Sequence, residues 1–317
     1  MGKGTTDTSS EMVAEPKRRS WLVNFGIRLV KEKPLGSVAG VVTLLLLLTA
    51  IFADFIAPYG MNQTRVTDFL APPSAAHLLG GDHLGRDLFS RIIYGARISV
   101  LVSMIATPLS VVLSLAVGGL SGYLGGKFDL IVQRFVDAFM CFPSLILLIL
   151  IMSIFGPGLW NVTIVLAVVF GIGGSRIIRG AVMSVKENVY VQAARAIGCS
   201  TPRILIRHIL PNIMAPTIVL FTTRVPAVIL TEASLSFLGF GIPPPTPSWG
   251  GMLSAEGRSY MFLSPGLAIW PGLALSIVVF SVNMFGDAIR DLLDPRLRGG
   301  VGRYGVRKPK EGVPRKK

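Results

Sequence analysis

The sequence predicts an all-α membrane protein that crosses the bilayer six times and leaves both termini on the cytoplasmic side. Three observations carry that expectation. Hydrophobic residues make up 51% of the 317-residue chain and charged residues only 15%, where a soluble domain carries about 25% charged. Long apolar runs recur, each near the ~20 residues a helix needs to cross the hydrocarbon layer. The net charge of +14 is gathered into segments that alternate with those runs.

The first run covers about 35–56 (LGSVAGVVTLLLLLTAIFADFI), opened by Pro34 and closed by Pro58. A polar loop, 57–98, follows. The second span covers about 99–120 and ends in a glycine cluster, Gly118, Gly119, Gly122, Gly125 and Gly126. The remaining spans fall at about 130–155, 159–176, 213–240 and 263–285. A cytoplasmic N-terminal segment (1–34), a spanning domain (35–298) and a basic cytoplasmic tail (299–317) complete the organisation.

Charge sets the orientation. Residues 1–34 carry net +3, residues 175–212 net +5 and residues 287–317 net +6, so the rest of the chain is neutral. Lys and Arg collect in segments that stay cytoplasmic, and six crossings from a cytoplasmic N-terminus place all three segments inside. The same spacing argues against nucleic acid, because basic residues separated by spans form no continuous track for a phosphate backbone. Anionic lipid headgroups are the expected neighbours of the tail. Cys141 and Cys199 offer no disulfide framework. The polar start and the lack of a small-residue cleavage site make the first span a retained anchor, not a signal peptide.

Residues 187–212 read ENVYVQAARAIGCSTPRILIRHILPN. Physically this is a helix over 190–197, a glycine, a turn and a second helix. Gly198 suits the left-handed position that ends a helix. Ser200 or Thr201 caps the next one, with Pro202 in its first turn, and Pro211 stops it. The paired Ala193 and Ala194 give the hairpin a low-relief surface onto which another protein can pack.

That segment resembles the "EAA" cytoplasmic loop of permeases of ATP-binding-cassette importers, with Gln192, Ala193, Ala194, Gly198, Leu210 and Pro211 at the matching positions and the basic Arg207 between them. Gln192 stands where that pattern has Glu, and His208 where it has Ile. Three further stretches, His77–Ser99, Thr231–Gly250 and Gly286–Pro295, are similar to the dipeptide, oligopeptide and nickel branch, nearest its "C" type permease. The resemblance spans about 30–298. It implies a type I importer permease fold in a bacterial cytoplasmic membrane, with a second homologous permease subunit, two cytoplasmic ATPases and an extracytoplasmic substrate-binding protein as partners. It also implies peptides as cargo, with nickel or another small solute as the alternative. No GxxxxGK[ST] phosphate loop is present; Gly126-Lys127 continues with Phe128. ATP is therefore expected to be handled by a partner, and no cofactor is expected.

Charges inside the spans are functional candidates, since each is costly unless paired or facing water. Arg134 and Asp137 lie three apart on one face of the third span, either as a local ion pair or lining the substrate path. Arg224 and Glu232 lie eight apart in the fifth span, read as one face, and face either the path or the companion permease. His77, His83 and Asp82 are read as hydrogen-bonding groups, not metal ligands. The Gly118/Gly122/Gly126 spacing is read as helix packing, and Trp160, Trp249 and Trp270 as interfacial anchors. A polytopic membrane enzyme would need GxSxG, HExxH or a Ser/His/Asp cluster, and none is visible. A channel or proton-coupled carrier would have no use for the hairpin. No catalytic or metal-binding residue is expected.

Overall fold

The computed structural model describes residues 21–293, and the side chains in that range apart from those of 21–25, 255, 256 and 293. The expected tail, 299–317, lies outside the described residues. Every regular element among the described residues is helical. Helix α1 (Trp21–Glu32) precedes the first span, so part of the expected N-terminal segment is ordered. It leads into α2 (Pro34–Ile51), with Pro34 at the first helical position, where its missing N–H costs nothing. The one-turn α3 (Ala53–Ile56) completes the first crossing.

Helix α4 (Leu88–Leu124) has 37 residues and starts eleven residues earlier than the hydropathy pattern predicts. Arg91 and Arg97 depress the apolar signal of its first turns, yet Asp87 caps it by accepting from the Ser90 N–H at 2.8 Å. The expected third span is not one helix. It divides into α5 (Gly126–Met140) and α6 (Ser144–Phe155), bent by 90°. Pro143 removes a backbone donor at the junction and breaks the helical register. At 1.5 Å per residue α6 is about 18 Å long, too short to cross the membrane alone.

Helix α7 (Leu159–Lys186) outlasts its predicted end by ten residues. After α8 (Val189–Ala196) and α9 (Thr201–Ile204), a π-turn (Leu205–Ile209) and a 3-10 turn (Leu210–Ile213) carry the chain without a stop into α10 (Met214–Phe237). Pro211 therefore does not end the helix, as its sequence position suggests. Its missing N–H and its ring's clash with the carbonyl four residues back are absorbed by local over- and under-winding. The short turns α11 (Trp249–Gly251) and α12 (Arg258–Tyr260) cross the external side, and α13 (Gly266–Leu293) closes the bundle.

Five helices among the described residues are long and apolar enough to cross, and the packing decides whether the bent pair adds a sixth. Helices α4 and α7 make the most extensive contact. Ser114 donates to the Gly171 carbonyl at 2.8 Å, a Cβ on Gly118 would collide with the Ser175 carbonyl, and one on Gly122 would lie 2.9 Å from the Arg179 carbonyl. Residue numbers rise together along both helices, so they run parallel. The intervening 125–158 must then return across the bilayer, and the bent pair α5–α6 makes that crossing. On the other flank Gly36 meets Ala288 and Gly40 meets Phe285, so α2 and α13 are antiparallel. Six crossings result, with the chain entering and leaving on one side. Gly126, by contrast, has φ +57° and open space around it; it starts α5 and takes no part in helix packing.

The wide apolar surface suits lipid. Leu35, Val38, Leu45 and Ile51 of α2 are all exposed, as expected for a helix whose outer face meets acyl chains. Trp249 departs from its expected place at an interface. It is 1% exposed, donates Nε1–H to the Ile92 carbonyl at 3.1 Å and packs on Gly95, where a Cβ would lie 2.9 Å from the indole. It is an internal plug between the external loop and α4.

Candidate coupling surface and intramembrane charges

The hairpin after α7 is built as the sequence suggests in outline and differently in detail. Asn188 precedes α8 with extended backbone. Gly198 ends it at φ +80°, and two hydrogen bonds close the terminus: Cys199 N–H to the Ala194 carbonyl and Gly198 N–H to the Arg195 carbonyl, each 3.0 Å. This is the Schellman arrangement, which needs the left-handed residue. Ser200 occupies the cap position of α9, but its hydroxyl makes no capping hydrogen bond.

The two alanines do not share a surface. Ala194 is 5% exposed and Val191 1%, both packed in one cluster with Tyr123, Ile178, Val182, Ile204 and Ile209. Ala193 and Gln192 face outward, because adjacent helical positions lie about 100° apart. The exposed face carries Val189 at 82% and Ile197 at 80% exposure. The exposed Gln192 amide donates to the Glu187 carbonyl at 3.1 Å. Gly198, Arg207 and Pro211 are exposed, and Leu210 packs against the buried cluster. Arg195 places its guanidinium 5.3 Å from the Tyr123 ring, and Lys186 donates to the Gly122 carbonyl at 3.0 Å near the end of α4. The hairpin is thus rooted in α4 and α7 while presenting an apolar patch on the basic side of the chain.

The predicted intramembrane charges separate. Arg134 is 76% exposed along its side chain and only 3.8 Å from Asp137; the closer partner of Asp137 is Arg176 of α7. One turn further along α7, Arg179 grips Asp129 through two hydrogen bonds of 2.6 and 2.5 Å. Two α5–α7 ion pairs therefore hold the inner half of the bent span, and sequence spacing within α5 could not reveal them. Glu232 is fully buried between α10 and α4, accepting from Ser236 Oγ at 2.7 Å and Ser99 Oγ at 3.4 Å. Arg224 lies elsewhere, half-buried, 5.0 Å from the Phe170 ring. It borders a cleft of about 330 Å³ with Phe139, Phe142, Ser144, Phe170 and Gly173. Eight residues of helix do not keep these two charges on one face, and only Arg224 reaches a cleft.

On the opposite side lies a buried polar knot that sequence spacing does not reveal as a unit. Asp82 is fully buried, receives Arg86 Nε at 2.5 Å and backbone N–H groups from Leu84 and Arg86, and lies 3.5 Å from Arg91. His77 Nδ1 is 3.0 Å from Asp87 Oδ1, and the His83 ring stacks on Tyr260. The contact to Asp87 supports the hydrogen-bonding reading for His77, whereas the contact found for His83 is a ring stack. The one signal in the sequence is the density of charge in GGDHLGRDLFSR. Surface loops seldom bury four ionised groups, and here they pin the loop to the first turn of α4.

The comparisons agree with this architecture. Residues 86–299 match the family described as binding-protein-dependent transport system inner membrane component, and residues 27–73 match the N-terminal TM domain of oligopeptide transport permease C. The chain is 40% identical over 261 residues to the glutathione transport system permease protein GsiD of Pectobacterium atrosepticum, covering 82% of this chain and 86% of that protein. It is 38% identical over 273 residues to GsiD of Escherichia coli O6:K15:H31, covering 86% and 90%. Two inward-facing crystal forms of the MetNI methionine ABC transporter contain a chain of similar fold. The TM-scores are 0.50 and 0.51 at 18% and 17% identity, with 64% and 65% of this chain and 96% and 98% of those chains aligned. With both regions matched and the fold shared, the chain belongs to the inner-membrane permease components of binding-protein-dependent ABC transport systems, in the dipeptide and oligopeptide permease family.

Proposed function

We propose that this permease carries di- and oligopeptides into the cytoplasm as one half of a paired channel. A second homologous permease completes the path, two cytoplasmic ATPases drive it and an extracytoplasmic binding protein delivers the cargo. ATP hydrolysis belongs to the ATPases. The relatives are named for glutathione, itself a tripeptide, which supports the peptide class.

One observation carries the coupling role: the exposed Val189, Ala193 and Ile197 on a hairpin whose other face, Val191 and Ala194, is buried against α4 and α7. An exposed apolar patch on a rigid element outside the membrane is suited to a protein partner. Gln192, Gly198, Arg207, Leu210 and Pro211 shape that docking surface. The absence of a charge at Gln192 makes the contact one of packing, not of ion pairing.

The test is uptake of labelled dipeptides, oligopeptides and glutathione by cells with and without this gene. Peptide uptake should fall when the gene is removed and return when it is restored. Unchanged peptide uptake with lost nickel or sugar uptake would overturn the cargo assignment and leave the permease role standing. The purified chain alone should hydrolyse no ATP.

A further inference from the structure

The cleft beside Arg224 has features that packing alone does not require. Arg97, Arg176 and Arg179 on the spanning helices each meet a carboxylate, those of Asp54, Asp137 and Asp129. Arg224 has none within ion-pair distance among the described residues, and its only close partner there is the Phe170 ring. Its cleft neighbours Val169, Phe170, Ile172 and Gly173 lie at the middle of α7. A guanidinium at that depth cannot face lipid cheaply.

A second observation points to the same wall. The break between α5 and α6 lies on this cleft, with Met140, Phe142 and Ser144 among its lining, and residues 141–146 are all exposed in the chain. Irregular backbone at membrane depth is tolerated only where it is covered by protein or lines water. Gly173 also borders the cleft, and a Cβ there would stand 4.0 Å from the Arg224 guanidinium, in ordinary contact, so only a larger side chain at this position would fill the space.

We propose that Arg224, with the Phe142/Ser144 break and Phe170 around it, forms a carboxylate-recognising subsite on the translocation path, occupied by a free carboxylate of a small peptide. The inference rests on the peptide-permease reading. The planar fork of arginine matches a carboxylate in two-pronged geometry, while the aromatic walls accept the apolar parts of a varied cargo. The volume, about 330 Å³, holds a peptide terminus but not a long peptide, so the site reads one end and leaves the rest unspecified.

Cys141, exposed in the break, provides a reporter. In a Cys199→Ser background, the assembled complex of both permeases and ATPases, without binding protein, is treated with a water-soluble maleimide. Alanine tripeptide should slow modification of Cys141, whereas its C-terminal amide should not. Arg224→Gln should weaken protection by about tenfold, the loss expected for one charge-assisted contact. Arg224→Lys should retain part of it, and Gly173→Leu should abolish it by filling the cleft. An unreactive Cys141 would mean the wall is covered by the companion permease and would overturn the proposal. Equal protection by acid and amide, or protection surviving in Arg224→Gln, would overturn it as well. Peptide uptake by the same complex with its binding protein, measured in parallel, reads the proposed function separately. Uptake without carboxylate-dependent protection sinks only the subsite, and absence of peptide uptake sinks the function.

Discussion

Replacing Ala193 and Ala194 in turn by Asp separates docking from folding, because neighbouring residues of one short helix face opposite ways. Ala194 is 5% exposed and packs among Val191, Ile178, Val182 and Tyr123. A carboxylate there is buried in a largely apolar cluster, and its effective burial cost is several kcal/mol. Its extra volume adds about 1–3 kcal/mol of overpacking. Against a total stability on the order of 5–15 kcal/mol, that removes a large share of the margin and lowers the level of folded chain. Ala193 faces solvent, so Ala193→Asp costs the isolated chain only about 0.7 kcal/mol or less in helix propensity. Docking changes the balance. Covering the new carboxylate of Ala193→Asp without a partner costs about 1–3 kcal/mol, or roughly 5- to 150-fold in affinity at 1.4 kcal/mol per decade. The assays are the level of inserted chain, ATPase co-purifying with tagged permease, and ATP-dependent uptake in proteoliposomes. Ala194→Asp should fail at the first and Ala193→Asp only at the second and third. An Ala193→Asp chain that keeps wild-type ATPase binding and uptake would refute the assignment of this face.

The α4–α7 seam is tested by Gly118→Ala, whose Cβ would strike the Ser175 carbonyl, against Gly119→Ala, whose Cβ meets nothing within 4 Å. The first should lower the melting temperature of the purified chain and the second should not. Topology is tested with single cysteines at exposed Ser200 and Ala75 in a chain lacking Cys141 and Cys199. An impermeant thiol reagent outside intact cells should label only position 75, and the reverse pattern would overturn the orientation. Ser248 would be a poor external probe, being 1% exposed. Pro211→Ala restores a backbone donor where the chain runs through π and 3-10 turns. It should leave expression intact and reduce uptake by letting the hairpin rotate against α10; unchanged uptake would show that this local winding does not set the docking angle.

Features that depend on local sequence are legible in it. The spans, the left-handed Gly198 and the family signature all follow from hydropathy and short motifs. Features set by tertiary contact are not. The early start of α4 is hidden by Arg91 and Arg97, which hydropathy scores as breaks although Asp82 and Asp54 neutralise them from the loop and from α3. The bend at Pro143 is hidden because α6 is uniformly apolar and continues the run of α5 in one dimension. Ala193 and Ala194 look like one surface in the sequence, yet adjacency along a helix is not adjacency in space. Arg134–Asp137 looks like a pair because spacing on one helix is visible, whereas Arg176, 39 residues on from Asp137, is not.

The same long-range contacts suggest how a push on the hairpin could reach the midplane. Val191, Ala194 and Ile204 are buried with Ile178 and Val182 of α7 and Ile213 and Leu220 around the start of α10, so the hairpin cannot shift without carrying the inner ends of both helices. Arg176 and Arg179 tie that stretch of α7 to Asp137 and Asp129 of α5, which draws the inner half of the broken span along. Farther out, Glu232 is hydrogen-bonded to Ser236 on its own helix and to Ser99 of α4, which holds the outer half of α10 to a different helix. Between those two anchorages lie Pro226 in α10 and the break between α5 and α6. Proline inside a helix leaves a carbonyl without its donor and lowers resistance to bending. Pro226 and the break between α5 and α6 therefore place the weakest helical connections of these two spans near the depth of the Arg224 cleft. On the proposed coupling role, motion delivered at the hairpin would be relieved beside the proposed Arg224 subsite.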